Sequence, residues 1–152
     1  MPHSFNKIWI HAIWATKERF PFIHQNIEQK VYQFISDQLR ELGCQVRIIN
    51  GMPDHIHCLF LLNPQKSIAE VIKQIKGSCS HFVNQNNLTP EKFSWQTGYA
   101  AYSVSESVAD KVFRYIKNQK QHHKKKSFQE EYDAFLKLVG FEQSGSWQQN
   151  SN

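Results

Sequence analysis

The chain lacks most of the features that would place it in a familiar class at once. Cysteine is scarce: Cys44, Cys58 and Cys79 are an odd number without zinc-finger spacing. That argues for a reducing cytoplasm rather than a disulfide-stapled secreted protein, and each thiol reads as a small buried hydrophobe. The opening MPHSFNKIWIHAIW has no uninterrupted apolar run, and no segment reaches the length needed to cross a bilayer. A soluble, untargeted, cytoplasmic protein with no membrane contact is expected. There is no internal repeat. There is no GxxxxGKS or GxxxxGKT loop either, so no nucleotide cofactor is expected.

What is present bounds the answer further. A chain of 152 residues is one domain by size and buries about two-thirds of the surface its unfolded form exposes. Residues 1–142 read as that domain, and QSGSWQQNSN, residues 143–152, as a flexible tail without a role. The 40% hydrophobic and 13% aromatic content is ordinary for a folded protein. A net charge of +5 and a sequence pI near 9.1 favour polyanions such as nucleic acid.

Periodicity supplies the elements. Residues 5–16 are β-branched and aromatic and partly alternate, as in a central strand. Ile27, Val31, Phe34, Ile35, Leu39 and Leu42 have helical spacing, and Gly43 is placed to end that helix. CQVRIINGM and HIHCLFLL flank the turn residues Gly51, Pro53 and Asp54, which predicts an antiparallel hairpin. A second helix is expected over 67–85, opened by the capping-box pair Ser67 and Glu70. GYAAYSVS gives another strand. Ser107 and Asp110 then resemble a capped start to a third helix running to about Gln121, and SFQEEYDAFLKLVG reads as a last helix capped by Ser127 and Glu130. The order βαββαβ plus C-terminal helices predicts an α+β ferredoxin-like sandwich. Its antiparallel sheet would carry helices on one face and leave the other free.

Within PDHIHCLFLL the alternation of a strand puts His55 and His57 on one face, with Leu59 and Leu61 continuing it, and turns Ile56, Cys58 and Phe60 into the core. Two imidazoles converging in this way can hold a divalent metal and leave positions for a third ligand and substrate oxygens. A chain with eight histidines also produces such a spacing by chance. Asp54 suits two roles, a turn residue after Pro53 or an acceptor that orients a histidine. In FRYIKNQKQHH, Tyr115 and Gln119 lie four apart and share a helical face, where a phenol and an amide oxygen can approach one point. Periodicity alone favours core packing for Tyr115.

Together these pieces resemble something definite. DHIHCLF followed by YIKNQ is similar to the His-hydrophobic-His motif and tyrosine helix of the HUH single-tyrosine transposases of small bacterial insertion sequences, REP-associated relatives included. The resemblance runs over nearly the whole chain and includes WQTGYAAYSVSES and SFQEEYDAFLKLVGFE. It implies His55, His57 and Gln119 as ligands of magnesium or manganese and Tyr115 as the nucleophile. The reaction it implies is metal-dependent nicking and rejoining of single-stranded DNA through a 5′-phosphotyrosine, with recognition of hairpins at the element's ends. It also implies a homodimer in which one subunit's tyrosine can complete the other's metal site.

Phosphate contacts are expected from Lys73, Lys76, Lys117, Lys120, His122, Lys124 and Lys125, the last three from the HHKKK cluster, against the alternative of a solvated charged face. Trp95, Tyr99 and Tyr102 either stack on unpaired bases or pack in the core. Three rivals stand beside the transposase. A domesticated relative that cuts repetitive chromosomal hairpins differs only in genomic context. A histidine-triad hydrolase would need a third alternating histidine where Leu59 stands. A non-catalytic nucleic-acid-binding module on the same sheet would need stacking motifs that are not evident.

Overall fold

The computed structural model describes residues 4–122 and residue 130. Four strands and four helices follow one another as β1 (Trp9–Ala15), α1 (Gln25–Glu41), β2 (Gln45–Met52), β3 (His55–Leu61), α2 (Ile68–Gln85), β4 (Ala100–Val104), α3 (Ala109–Lys117) and α4 (Gln119–His122). Short 3-10 turns precede α1 and α3. The expected last helix over 127–140 and the tail lie outside the described residues. No described helix is long and apolar enough to cross a membrane.

The strands form one antiparallel sheet in the order β2-β3-β1-β4, the arrangement expected of a ferredoxin-like sandwich. In the β1–β3 ladder Ile13 faces His57 and His11 faces Leu59, while Asn50 of β2 faces His57 from the other side. Side-chain alternation then sorts two layers. Ile10, Ala12 and Trp14 join Ile56, Cys58 and Phe60 against Val31, Ile35 and Leu39 of α1 and Val71, Ile72, Ile75 and Val83 of α2. All three cysteines are free and buried, and burial raises the thiol pKa of Cys58 and of Cys79, the latter to about 12.

Local chemistry ends the elements where the pattern predicts. α1 closes with Gly43 at φ 79, the left-handed conformation glycine tolerates, and hydrogen bonds from Gly43 N to Arg40 O and from Cys44 N to Leu39 O, both 2.9 Å. The Ser67–Glu70 capping box is formed in both directions. β1 is shorter than its β-rich run: pairing starts at Trp9, and Phe5 stays 90% exposed.

Two expectations change. The second face of the sheet is not bare. α3 crosses it, packing Val112 and Ile116 on Leu59 and Val104. The third helix is also not continuous. Ser107 does not cap it, since its hydroxyl bonds to that of Ser105 at 2.9 Å, and Val108 is the N-cap without a side-chain bond. Asp110 instead pairs with Arg47, whose guanidinium sits over the Trp9 and Phe113 rings. The helix then ends at Lys117, and Asn118 turns the chain into α4.

The hairpin tolerates no side chain at residue 51. A Cβ there would collide with the backbone carbonyl of His55, whereas one at Gly77 in α2 meets nothing within 4 Å. Gly51→Ala should lower the urea midpoint sharply, while Gly77→Ala should raise stability by about 0.5–1 kcal/mol through helix propensity. Equal effects in urea unfolding would contradict this register.

Candidate active site

The first three residues of β3 place His55 and His57 on the α3 side of the sheet, both essentially without solvent exposure. Each ring is aimed by a polar partner. His55 Nδ1 lies 2.8 Å from Asp54 Oδ1, and the other Asp54 oxygen accepts from Arg19 at 3.4 Å. Burial acts against the Asp54 carboxylate, but the hydrogen bond from His55 and the charge of Arg19 outweigh it and hold its pKa below the ordinary value. Asp54 therefore fills both of its expected roles: it sits in the hairpin turn, its carbonyl accepting from Thr16 N at 2.9 Å, and it orients a histidine.

His57 Nδ1 lies 2.9 Å from Nε2 of a third histidine, His11 on β1, with ring centroids 5.1 Å apart. Sequence reasoning passed over His11. Its signal was parity: in WIHAIWA it shares a face with Trp9 and Ile13, so a polar ring is committed to the middle of a central strand. Complete burial lowers the His11 pKa to about 3, so the ring is neutral at physiological pH. With His11 accepting at Nε2, His57 would donate its Nδ1–H and keep a lone pair at Nε2.

Gln119 opens α4 fully buried, with Oε1 3.3 Å from His55 Nε2. The Tyr115 ring, half-buried, stands edge-on to His57 with centroids 5.9 Å apart at 69°, and the two histidine rings are 5.2 Å apart. All four residues singled out from sequence thus meet at one spot. The shared helical face is not the reason, because the chain breaks between Tyr115 and Gln119.

The spacing of His55 and Gln119 fits adjacent ligands of a divalent cation. Two adjacent ligands of an octahedral ion at about 2.1 Å lie about 3 Å apart, close to the 3.3 Å between His55 Nε2 and Gln119 Oε1. With its Nδ1–H donated to Asp54, a His55 lacking a proton at Nε2 would direct a lone pair toward that amide oxygen, and a cation would reconcile two such acceptors. Among the described residues no three His, Cys, Asp or Glu side chains converge on a metal position. The third candidate donor beside the two imidazoles is an amide oxygen, that of Gln119.

The lysines fare less uniformly. α2 packs on the far face of the sheet, which puts the exposed Lys73 across the sheet from the histidines. Lys76 spends its ammonium on Gln96 O and Gly98 O, both at 2.8 Å, and burial lowers its pKa. Lys120 is bound to Glu28, Asn50 and Gly51. Lys76 and Lys120 thus have intramolecular partners, and Lys73 is exposed on the α2 side of the sheet. Lys117 remains exposed at the end of α3, beside a groove shared with Arg40, Arg47 and Asn50. His122 ends α4, and Lys124 and Lys125 lie outside the described residues. Trp95 packs edge-on against Trp14 and Phe93, a core role. Tyr99 is 37% exposed, and Tyr102 lies opposite His11 in the sheet.

Fold and site together define a class, the DNA strand-transfer enzymes that set a His-hydrophobic-His strand beside a single tyrosine on a helix. Comparison with known proteins agrees. The family model described as "Transposase IS200 like" matches residues 4–119, and the chain belongs to that family. It is 30% identical to the ISDra2 transposase TnpA of Deinococcus radiodurans over 118 residues, 72% of this chain and 81% of that protein. A candidate transposase from D. radiodurans R1, solved as a crystal structure, superposes with a TM-score of 0.62 at 27% identity, covering 78% of this chain and 95% of the other. A REP-associated tyrosine transposase bound to a REP hairpin shares the fold, with a TM-score of 0.60 at 15% identity over 81% and 74% of the two chains. The protein is thus a DNA transposase, an enzyme that nicks and transfers DNA strands.

A metal ligand at His57 Nε2 requires the tautomer in which His57 donates its Nδ1–H to His11. Long-range ¹⁵N–¹H spectra should show His57 protonated at Nδ1, and His11→Phe should convert it to a mixture of tautomers. An unchanged pattern in the variant would contradict the assignment.

Proposed function

We propose that Tyr115 is the nucleophile of a transposase acting on single-stranded DNA, assisted by a magnesium or manganese ion held by His55, His57 and Gln119. The observation that carries this reading is the convergence of an imidazole pair from β3, an amide from α4 and a phenol from α3 within one buried patch. When bound, such an ion would neutralise the non-bridging phosphate oxygens and polarise phosphorus.

The chain's own residues supply the rest. A phenol with an ordinary pKa near 10 is a weak nucleophile at neutral pH, so placement matters more than basicity. Tyr115 is held against His57 of its own chain, which supports attack within one subunit. Its Oη–P bond forms as the P–O3′ bond breaks, the phenolic proton ends on the released 3′-hydroxyl, and the DNA 5′ end stays on the tyrosine. One phosphoester replaces another, so rejoining needs no nucleotide. Asp54 and His11 keep the two imidazoles in the tautomers that present Nε2.

The substrate of this reading is a hairpin near the element's ends, a proposal supported by the REP hairpin bound to the structural relative. Lys117 and the groove beside it, between α1 and β2, are the surface offered to the phosphate backbone. A homodimer is supported by the edge strand β4, which among the described residues pairs only with β1 and which a two-fold partner would cover.

Incubated with hairpin single-stranded DNA and manganese, the protein should form a denaturant-resistant adduct at Tyr115 that Tyr115→Phe abolishes. His55→Ala and His57→Ala should each slow cleavage on the order of a thousandfold, several kcal/mol of transition-state stabilisation. Their DNA affinity should change by less than about threefold, because backbone contacts carry most of the binding. An adduct persisting in Tyr115→Phe would remove the nucleophile assignment, and wild-type nicking by either histidine variant would remove the metal assignment.

A further inference from the structure

The third donor is delivered by a helix break that the sequence of α3 does not explain. Tyr115, Ile116, Lys117 and Gln119 contain no glycine or proline to stop a helix, and the turn at Asn118 has φ −96 and ψ 17. A helix that stops leaves its last carbonyls without the N–H groups of a following turn. Here a side chain of the sheet takes that place. Asn50 Nδ2 donates to Ile116 O at 3.0 Å and Lys117 O at 3.2 Å. Its Oδ1 accepts from Lys120 Nζ at 3.2 Å, and the same ammonium reaches Gly51 O at 2.9 Å and Glu28 Oε2 at 3.0 Å.

Asn50 is also the β2 residue directly opposite His57 in the ladder. One side chain therefore joins the strand pair that carries the histidines to the end of the helix that carries the tyrosine. Lys120, the residue after Gln119, is pinned to that same side chain. With the carbonyls of Ile116 and Lys117 held from outside, the chain is free to turn at Asn118, and Gln119 drops to zero exposure beneath His55.

We propose that Asn50 is a positioning residue of the transposase: its amide caps α3, holds the break at Asn118 with the help of Lys120, and so sets Gln119 within ligand distance of His55. The inference rests on the reading of Gln119 as a metal ligand given above. It adds that the ligand's position is set from β2.

The experiment measures Mn²⁺ dissociation constants of the DNA-free protein by electron paramagnetic resonance, with melting temperature as a control for folding. Asn50→Asp keeps size but offers the two carbonyls an acceptor instead of a donor. It should weaken Mn²⁺ binding by about tenfold, in the range found for outer-shell partners of metal ligands. Gln119→Ala should weaken binding to a similar degree, and the double variant should be no weaker than Gln119→Ala alone, because the two changes act through one ligand.

Lys120→Met is the second variant, for the case in which Asn50→Asp does not fold. It removes the cation that fixes the Asn50 amide and should weaken Mn²⁺ in the same direction, again without further effect once Gln119 is gone. Unchanged Mn²⁺ affinity in folded Asn50→Asp or in Lys120→Met, with Gln119→Ala still impaired, would overturn the positioning role. So would fully additive losses in the double variant. Mn²⁺ affinity unaffected by Gln119→Ala would instead remove the underlying ligand assignment.

Discussion

The active site depends on the pleat of a single strand. β3 is hydrogen-bonded on both sides and covered on both faces, so its seven residues have no freedom to choose which face they use. Ile56, Cys58 and Phe60 are committed to the layer under α1 and α2, and that commitment is what turns His55 and His57 the other way. A slip of one residue would put two imidazoles into an apolar core and two large hydrophobes into the site. Hydrophobic burial on one face thus fixes polar chemistry on the other.

Burying three imidazoles is costly unless each finds a partner. The fold meets this with two sets of contacts: Arg19 and His55 both bind the Asp54 carboxylate, and His11 pairs with His57. Tyr115, the proposed nucleophile, arrives from outside the sheet, on a helix secured at both ends by β2. Arg47 takes Asp110 near the start of α3, Asn50 takes the carbonyls at its end, and Leu59, Val112 and Ile116 fill the space between. Arg47 sits where the β2–β3 register shifts between Val46 and Ile48, the kind of irregularity that re-aims a side chain. Such a framework holds reacting groups in place before substrate binds, the main service a protein can render to a poor nucleophile.

Much of this was legible in the sequence because it is local. The hairpin around Pro53 and Asp54, the Ser67 capping box, the Gly43 helix end and the parity of HIHCLF each follow from residues within a few positions of one another. His55, His57, Tyr115 and Gln119 were legible as well, by spacing and by resemblance to a known family. The parts that escaped depend on distant partners. His11 is diagonal to His57 only once β1 and β3 pair. The break at Asn118 comes from Asn50, 68 positions away in the chain, while periodicity alone continued the helix to Gln121. Lys76 and Lys120 look like free surface cations until the carbonyls they bind are brought to them. Sequence pattern reports which face a residue occupies, and it is silent on which neighbour consumes its hydrogen bonds.

On the proposed reading, His55, His57 and Gln119 form one cation site beside Tyr115. Crystals grown with manganese and measured for anomalous scattering should show a single strong peak within bonding distance of Nε2 of both histidines and Oε1 of Gln119, with the phenol of Tyr115 facing it. A peak coordinated elsewhere, or none between the two imidazoles at saturating manganese, would contradict it.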